Sequence, residues 1–213
     1  MRIVISGPPG VGKGTRAAII SKELGIPHIS TGDLFRKEIQ EGTEIGKQIE
    51  DFVKKGQLVP DEITLNLLKK RLQQDDCKKG FILDGFPRTL KQAEMLKEIT
   101  NIDVFLNLIA ENHVLVERIS SRRTCNKCNA IFNIKTLAPQ REGICDFCSG
   151  SLYQREDEKP EVVKERLKIY EEKTKSVLAF YKALNLLEEL DGTLDINDPN
   201  FREQLFKRLR INF

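Results

Sequence analysis

The sequence predicts a doubly wound α/β fold: a parallel sheet of five strands flanked by helices on both faces, with two insertions. Three observations carry the prediction. Helical and strand-like patterns alternate along the chain. The strand-like runs are continuously apolar, as strands buried on both faces require. The first run, Ile3-Val4-Ile5, also feeds straight into a glycine-rich turn and then a helical segment. A length of 213 residues suits one such domain with insertions, and no internal repeat or low-complexity tract disturbs it.

Taken in order, Arg2–Ser6 is the first strand. The helix after the loop carries Ala17, Ala18, Ile19, Ile20 and Leu24 and stops at Gly25. His28-Ile29 is a short second strand. Residues 30–59 read as a polar helical stretch, opened by Thr31-Gly32-Asp33 and closed by Gly56 and Pro60. Phe81-Ile82-Leu83, ending in Asp84, is the third strand, and Val104–Ile109 is the fourth and clearest. Residues 122–159 turn rich in Cys, Arg, Gly and Asn. Beyond Pro160 an amphipathic helix reaches about Leu184, with Val163, Leu167, Tyr170 and Val177 on one face. Leu186–Leu190, stopped by Asp191-Gly192, is the fifth strand. The segments 30–59 and 122–159 break the alternation and read as insertions at the edge of the core.

The turn Gly7-Pro8-Pro9-Gly10-Val11-Gly12-Lys13-Gly14-Thr15 points to phosphate. Glycines let successive N–H groups face one concavity and let an anion approach the backbone. A helix starting near Lys13 adds its positive end. Lys13 can reach outer phosphates, and Thr15 can offer a hydroxyl to a bound cation. The usual pattern has that hydroxyl directly after the lysine; here Gly14 intervenes.

Bulk properties narrow the partners. With 35 basic against 32 acidic residues, a net charge of +3 does not point to a nucleic-acid surface. No apolar run nears the ~18 residues of a membrane span. No signal peptide is expected, because cleaving the first strand would destroy the loop, and the expected location is the cytoplasm. Five cysteines in that setting favour metal over disulfide. Cys125-Asn126-Lys127-Cys128 and Cys145-Asp146-Phe147-Cys148, sixteen residues apart, have four-thiolate zinc spacing, with no coordination position left open for catalysis. Two disulfides, a redox pair, or iron in place of zinc are the alternatives. Cys77 has no partner in sequence and reads as a small apolar core residue.

With this loop, Thr31-Gly32-Asp33, the run Asp84-Gly85-Phe86-Pro87-Arg88 and the cysteine insertion in view, the chain resembles the adenylate kinases, specifically their long-lid bacterial type with a zinc-binding lid. The resemblance runs nearly end to end. It implies a core (1–29, 60–121, 160–213), a helical arm binding a nucleoside monophosphate (30–59) and a small lid (122–159). It also implies reversible transfer of a phosphoryl group from MgATP to AMP, giving two ADP, by a monomer with neither nucleic-acid nor membrane partner.

Residue by residue, Gly10, Val11, Gly12, Lys13, Gly14 and Thr15 would hold the ATP phosphates. Arg122, Ile131 and Phe132 would close on ATP from the lid, Arg118 would join at the ATP phosphates, and the backbone near Leu194 would touch adenine. Thr31, Arg36, Gln57, Leu58, Val59, Gly85, Phe86, Pro87, Arg88 and Gln92 would hold AMP, with Arg155 and Arg166 reaching the phosphates from the lid side. Asp84 would hold magnesium through water, and Cys125, Cys128, Cys145 and Cys148 a structural zinc.

The chemistry fits those residue types. Phosphoryl transfer needs in-line positioning and cations where charge spreads. Lys13, Arg88, Arg122, Arg155 and Arg166 are the catalytic set, joined by Arg36; the guanidinium fork matches phosphate oxygens in pairs. The attacking phosphate is already an anion, so no base is needed, and His28 and His113 read as structural or exposed. The Gln92 amide can both donate and accept, as reading a purine edge requires. Rival readings are a CMP/UMP or GMP kinase, a GTP:AMP phosphotransferase, a nucleotide-switched protein using the cysteine insertion as a nucleic-acid-binding ribbon, and an inactive ATP-binding scaffold.

Overall fold

The computed structural model describes residues 1–211, so the last two residues of the expected core segment 160–213 lie outside it. Five parallel strands form the central sheet: β1 (Arg2–Ser6), β2 (His28–Ser30), β3 (Phe81–Asp84), β4 (Val104–Ile109) and β8 (Leu187–Asp191), in the order β2-β3-β1-β4-β8. The doubly wound α/β fold read from the sequence is therefore the fold observed. β2 runs one residue past the expected Ile29, and β8 is shifted one residue along from Leu186–Leu190. The shift follows from pairing: Phe105 lies opposite Leu187, and Leu186 uses its carbonyl to accept from the Phe105 amide.

Side chains alternate across the sheet and fill two apolar layers. Ile3 and Ile5 of β1 and Leu106 and Leu108 of β4 face one layer, built with helices α1 (Lys13–Leu24), α6 (Asn112–Ser120) and α9 (Phe201–Arg208). Val4, Leu83 and Phe105 face the other, built with α4 (Asp61–Leu72), α5 (Leu90–Ile99) and α8 (Lys175–Ala183). Phe105 stacks on Tyr181 with ring centroids 4.2 Å apart. Cys77 is buried in this second layer, as expected.

The stretch 30–59 forms two helices rather than one, α2 (Thr31–Gln40) and α3 (Glu44–Lys54). Two caps cause the split. Ser30 Oγ accepts from the Asp33 amide, and Thr43 Oγ1 accepts from the Gly46 amide, so each start is separately satisfied. The pair packs on α4 in a small apolar cluster of Phe35, Ile49, Val59 and Leu67.

Residues 122–159 carry a three-stranded antiparallel sheet, β6 (Ile131–Asn133), β5 (Arg122–Cys125) and β7 (Leu152–Tyr153) in that order, around Cys125, Phe132 and Cys145. The helix after Pro160 is also divided. α7 (Pro160–Ile169) passes through a π turn at Tyr170–Thr174 before α8 begins. The extra residue rotates the apolar stripe: Leu167 packs with the first layer and Val177 with the second, although both were expected on one face.

Candidate active site

The carboxyl ends of β1 and β3 lie side by side, with Ile5 opposite Asp84, and the candidate residues gather above them. The glycine-rich loop is held from two directions. Gly10 has φ +84, and a Cβ there would lie 2.7 Å from Ile119 Cγ1 and 2.8 Å from the Leu115 carbonyl, so α6 fits against bare backbone. Gly12 has φ +93, and a Cβ there would collide with the Arg16 guanidinium beneath it. Lys13 opens α1 and folds back over the loop: Nζ donates to the Gly7 and Pro8 carbonyls at 2.9 and 3.0 Å. Burial pushes its ammonium down to about 8; Asp84 opposes the shift, and Arg88, Arg166 and Arg122 add to it. Asp84 lies across from Gly14, whose Cβ position is 4.0 Å from Oδ2. Its Oδ2 is also 3.2 Å from His28 Nε2. His28 thus stands beside the candidate magnesium carboxylate, whereas His113 is solvent-exposed and faces Glu111.

The arginines meet in one field, although they come from four separate parts of the chain. Arg122, entering β5, puts Nε 2.6 Å from Glu158 Oε1. Arg155 gives its amide to Glu158 Oε2 at 3.2 Å, and its buried Nε stands 3.9 Å from Glu158 Oε1, an ion pair without a hydrogen bond among the described residues. Arg166 on α7 donates to the Asp157 carbonyl and to Oδ2 at 3.0 and 2.6 Å. Arg36 on α2 bonds Asp33 at 2.5 Å, and Arg88 Nε donates to the Gly85 carbonyl at 2.7 Å. Burial, followed by repulsion from Arg36 and Arg122, pushes Arg155 down to about 10. Burial likewise pushes Arg166 down to about 10, with Asp157 resisting and Arg122 and Arg88 assisting. Burial also lowers Arg88. For Asp157 burial alone would raise the carboxyl, but Arg166, Arg36, Arg122 and Arg155 outweigh it and hold it low. This is a cationic cluster with too few carboxylates, poised for anions.

On the arm side, buried Thr31 donates from Oγ1 to the Gly85 carbonyl at 3.0 Å. Gln92 is buried, and its amide orientation is fixed: Oε1 accepts from the Arg88 amide and Nε2 donates to Asp61 Oδ1, both at 2.7 Å. Gln57, Leu58 and Val59 form the link from α3 to α4, with Val59 buried in the arm's apolar cluster. On the lid, Ile131 is exposed, whereas Phe132 turns into the lid core beside Cys125 and Cys145. Arg118 on α6 does not join the phosphate cluster; its Nη1 donates to the Gly192 carbonyl at 2.7 Å, beside Leu194.

The four cysteines converge as their spacing implied, with all Sγ atoms within 4.8 Å of one another. The closest pairs run between knuckles: Cys125 to Cys148 at 3.4 Å and Cys128 to Cys145 at 3.6 Å. Those separations are far from a disulfide bond and near the ~3.8 Å edge of a tetrahedron with zinc–sulfur bonds of about 2.3 Å. Backbone amides of Cys128 and Lys127 pull the Cys125 thiol down, while the neighbouring Cys148, Cys145 and Cys125 sulfurs push Cys128 up, so the protons are unevenly shared among the sulfurs.

Four residues at the site escaped the sequence reading. Asp157 and Glu158 hold the lid-side arginines, and the acidic run 156–158 set between Arg155 and Arg166 was the available signal. Asp61 fixes Gln92 from 31 positions away, which no local pattern reveals. Arg16 is an isolated charge in the run Arg16-Ala17-Ala18-Ile19-Ile20, where an apolar residue would suit a buried helix face.

Comparison with known proteins bears on the same residues. The family model for adenylate kinase matches residues 5–186, which contain the loop, both insertions and Asp84. An adenylate kinase of Caldicellulosiruptor saccharolyticus is 48% identical over 99% of this chain and 100% of its own. One of Archaeoglobus fulgidus is 47% identical over 92% of this chain and 93% of its own. One of Clostridium tetani is 47% identical over 93% and 94%. No helix among the described residues is long and apolar enough to cross a membrane. A match that spans the phosphate loop, the two inserted segments and the strand-end carboxylate, at near-half identity over almost entire chains, means that this chain belongs to the adenylate kinase family.

Proposed function

We propose that the chain transfers the terminal phosphoryl group of ATP to AMP, reversibly and with magnesium, giving two ADP and so balancing the adenine nucleotides. One observation carries the reading: Lys13, Arg36, Arg88, Arg122, Arg155 and Arg166 share one electrostatic field above the ends of β1 and β3. A nucleoside triphosphate and a nucleoside monophosphate placed tail to tail would supply the anions this cluster lacks.

In this reading the backbone from Gly10 to Thr15 and the Lys13 ammonium grip the donor's β- and γ-phosphates. Arg118, Ile131, the backbone at Phe132 and the Leu194 carbonyl flank the donor base. Thr31, Gln57, Leu58, Val59, Gly85, Phe86, Pro87 and Gln92 line the acceptor. Gln92 keeps one N–H and one lone pair free for a base edge, since its other valences go to Asp61 and Arg88. Arg36 and Arg88 hold the acceptor phosphate, and one of its oxygens attacks the γ-phosphorus. The bridging P–O bond to the β-phosphate breaks, and its electron pair stays on that oxygen, beside Lys13. Arg122, Arg155 and Arg166 face the three equatorial oxygens, where charge is spread in transit.

Asp84 fits a hard, partly hydrated ion: its carboxylate ends a strand across from Gly14. Magnesium there would draw charge from the β- and γ-oxygens. The sulfur cage fits zinc, which would hold the lid sheet together. We take residues 30–59 and 122–159 to be the moving parts, closing to exclude water. The lid has its own apolar core, which supports motion as a unit, whereas the arm's apolar cluster reaches Leu67 of α4, where it joins the core. The family's habit supports a cytoplasmic monomer acting on free nucleotides, with no nucleic-acid or membrane partner.

A coupled assay offering MgATP with AMP, CMP, UMP or GMP tests this. Strong preference for AMP is expected. Preference for another monophosphate moves the acceptor assignment, and no transfer to any acceptor overturns the reading.

A further inference from the structure

One buried charge is unused by the chemistry above. Arg16 on α1 is 4% exposed, within the apolar layer between the sheet and α9. Its Nη2 donates to two carbonyls of the loop after β8, Gly192 at 3.0 Å and Leu194 at 2.9 Å. Its guanidinium lies 5.5 Å from the Phe201 ring centroid and directly under Gly12 of the phosphate loop. One side chain therefore spans the phosphate loop and the loop expected to face the donor base. The two loops also touch, since a Cβ at Gly192 would run into Val11. Arg118 donates to the same Gly192 carbonyl from the other flank, and Asp191 moderates both charges.

This arrangement is costly. Burial and Arg118 push the guanidinium down to about 10, and its Nε has no partner among the described residues. An apolar side chain would fill the space without that desolvation, so the charge calls for a reason.

We propose that Arg16 is a positioning residue that sets the donor base: it fixes the Gly192–Leu194 loop so that the Leu194 carbonyl, which accepts one bond from Arg16 and keeps a second lone pair, accepts from the amino group of a 6-aminopurine. A 6-oxopurine would bring an oxygen to the same acceptor and be turned away. The inference rests on reading this cleft as the phosphoryl-donor site.

The test is Arg16→Met, with Arg16→Lys beside it, assayed with ATP and GTP as donors and AMP as acceptor, and titrated calorimetrically with each donor. Arg16→Met should lower kcat/KM for ATP about tenfold and leave GTP within twofold, so the ATP:GTP preference contracts about tenfold. KM for AMP should stay within twofold, and Arg16→Lys should fall between. Equal losses for both donors, or an unchanged ratio, overturn the proposal, as does a wild-type chain that uses GTP as readily as ATP. Should Arg16→Met not fold, the ratio in Arg16→Lys decides. If the wild-type chain transfers no phosphoryl group, the reading of the cleft as a kinase site falls, and the calorimetric ATP:GTP ratio in wild type and variants still judges Arg16.

Discussion

Glu158 is fully buried, and its Oε1 accepts from Arg122 Nε at 2.6 Å and lies 2.5 Å from Nη2. Its Oε2 accepts from the Arg155 amide at 3.2 Å. Glu158→Gln keeps the shape and an acceptor but removes the charge. Two charge-assisted bonds to Arg122 become ordinary ones, at about 1 kcal/mol each, and the lid-side guanidiniums lose a counter-ion. Removing one partner of a fully buried pair costs about 3–5 kcal/mol; Arg122 retains 20% side-chain exposure and Gln still accepts, so about 3 kcal/mol is expected. For a chain of this size that lowers Tm by roughly 6–12 °C. Two residues earlier in the same turn, Glu156 makes a solvent-exposed pair with Lys159, and Glu156→Gln should cost no more than about 0.5 kcal/mol. Thermal unfolding by circular dichroism, without nucleotide, compares the variants. A Glu158→Gln Tm within 2 °C of wild type, or equal losses at 156 and 158, would refute the argument that the carboxylate holds the arginine cluster.

Two further outcomes follow from the site. Lys13, lowered from 10.5 to about 8, carries its charge below that pH and loses it above, so kcat/KM for ATP should fall about tenfold per pH unit beyond about 8 at saturating AMP. The stability linkage has the opposite sign: between about 8 and 10.5 the unfolded chain binds more protons, so this group favours folding as pH rises through that window. A rate profile flat to pH 10 would count against the assignment. Replacing Cys125 and Cys128 together by Ser should lower Tm and loosen the lid sheet, seen as faster amide exchange in 122–159, while the chemical step in single-turnover assays survives; full stability with a lost chemical step would reverse the assigned role of the cysteines.

The fold was largely legible because its signals are local. Continuous apolar runs marked β1, β3 and β4, and the missed boundaries lie where pairing or capping decides: at β8, set by its register with β4, and at Thr43, which restarts a helix inside a stretch that reads as one. The π turn at Tyr170–Thr174 leaves no periodic mark, because the residues on either side still look helical while their faces diverge. Of the site, the glycine loop and the cysteine spacing were readable as motifs. The acids that hold the cations were not, since their partners are chosen in three dimensions.

By itself, the sequence determined which elements form, where a phosphate could be gripped and which sulfurs could share a metal, because backbone preference, apolar periodicity and ligand spacing act over a few residues. Tertiary structure decided which charges meet. It set Arg36, Arg88, Arg122, Arg155 and Arg166 into one underneutralised field, gave Glu158 and Asp157 the task of holding it, fixed the Gln92 amide through Asp61, and slid Arg16 beneath the loop it supports. Electrostatic energy depends on separation and burial, and both exist only once distant segments have packed.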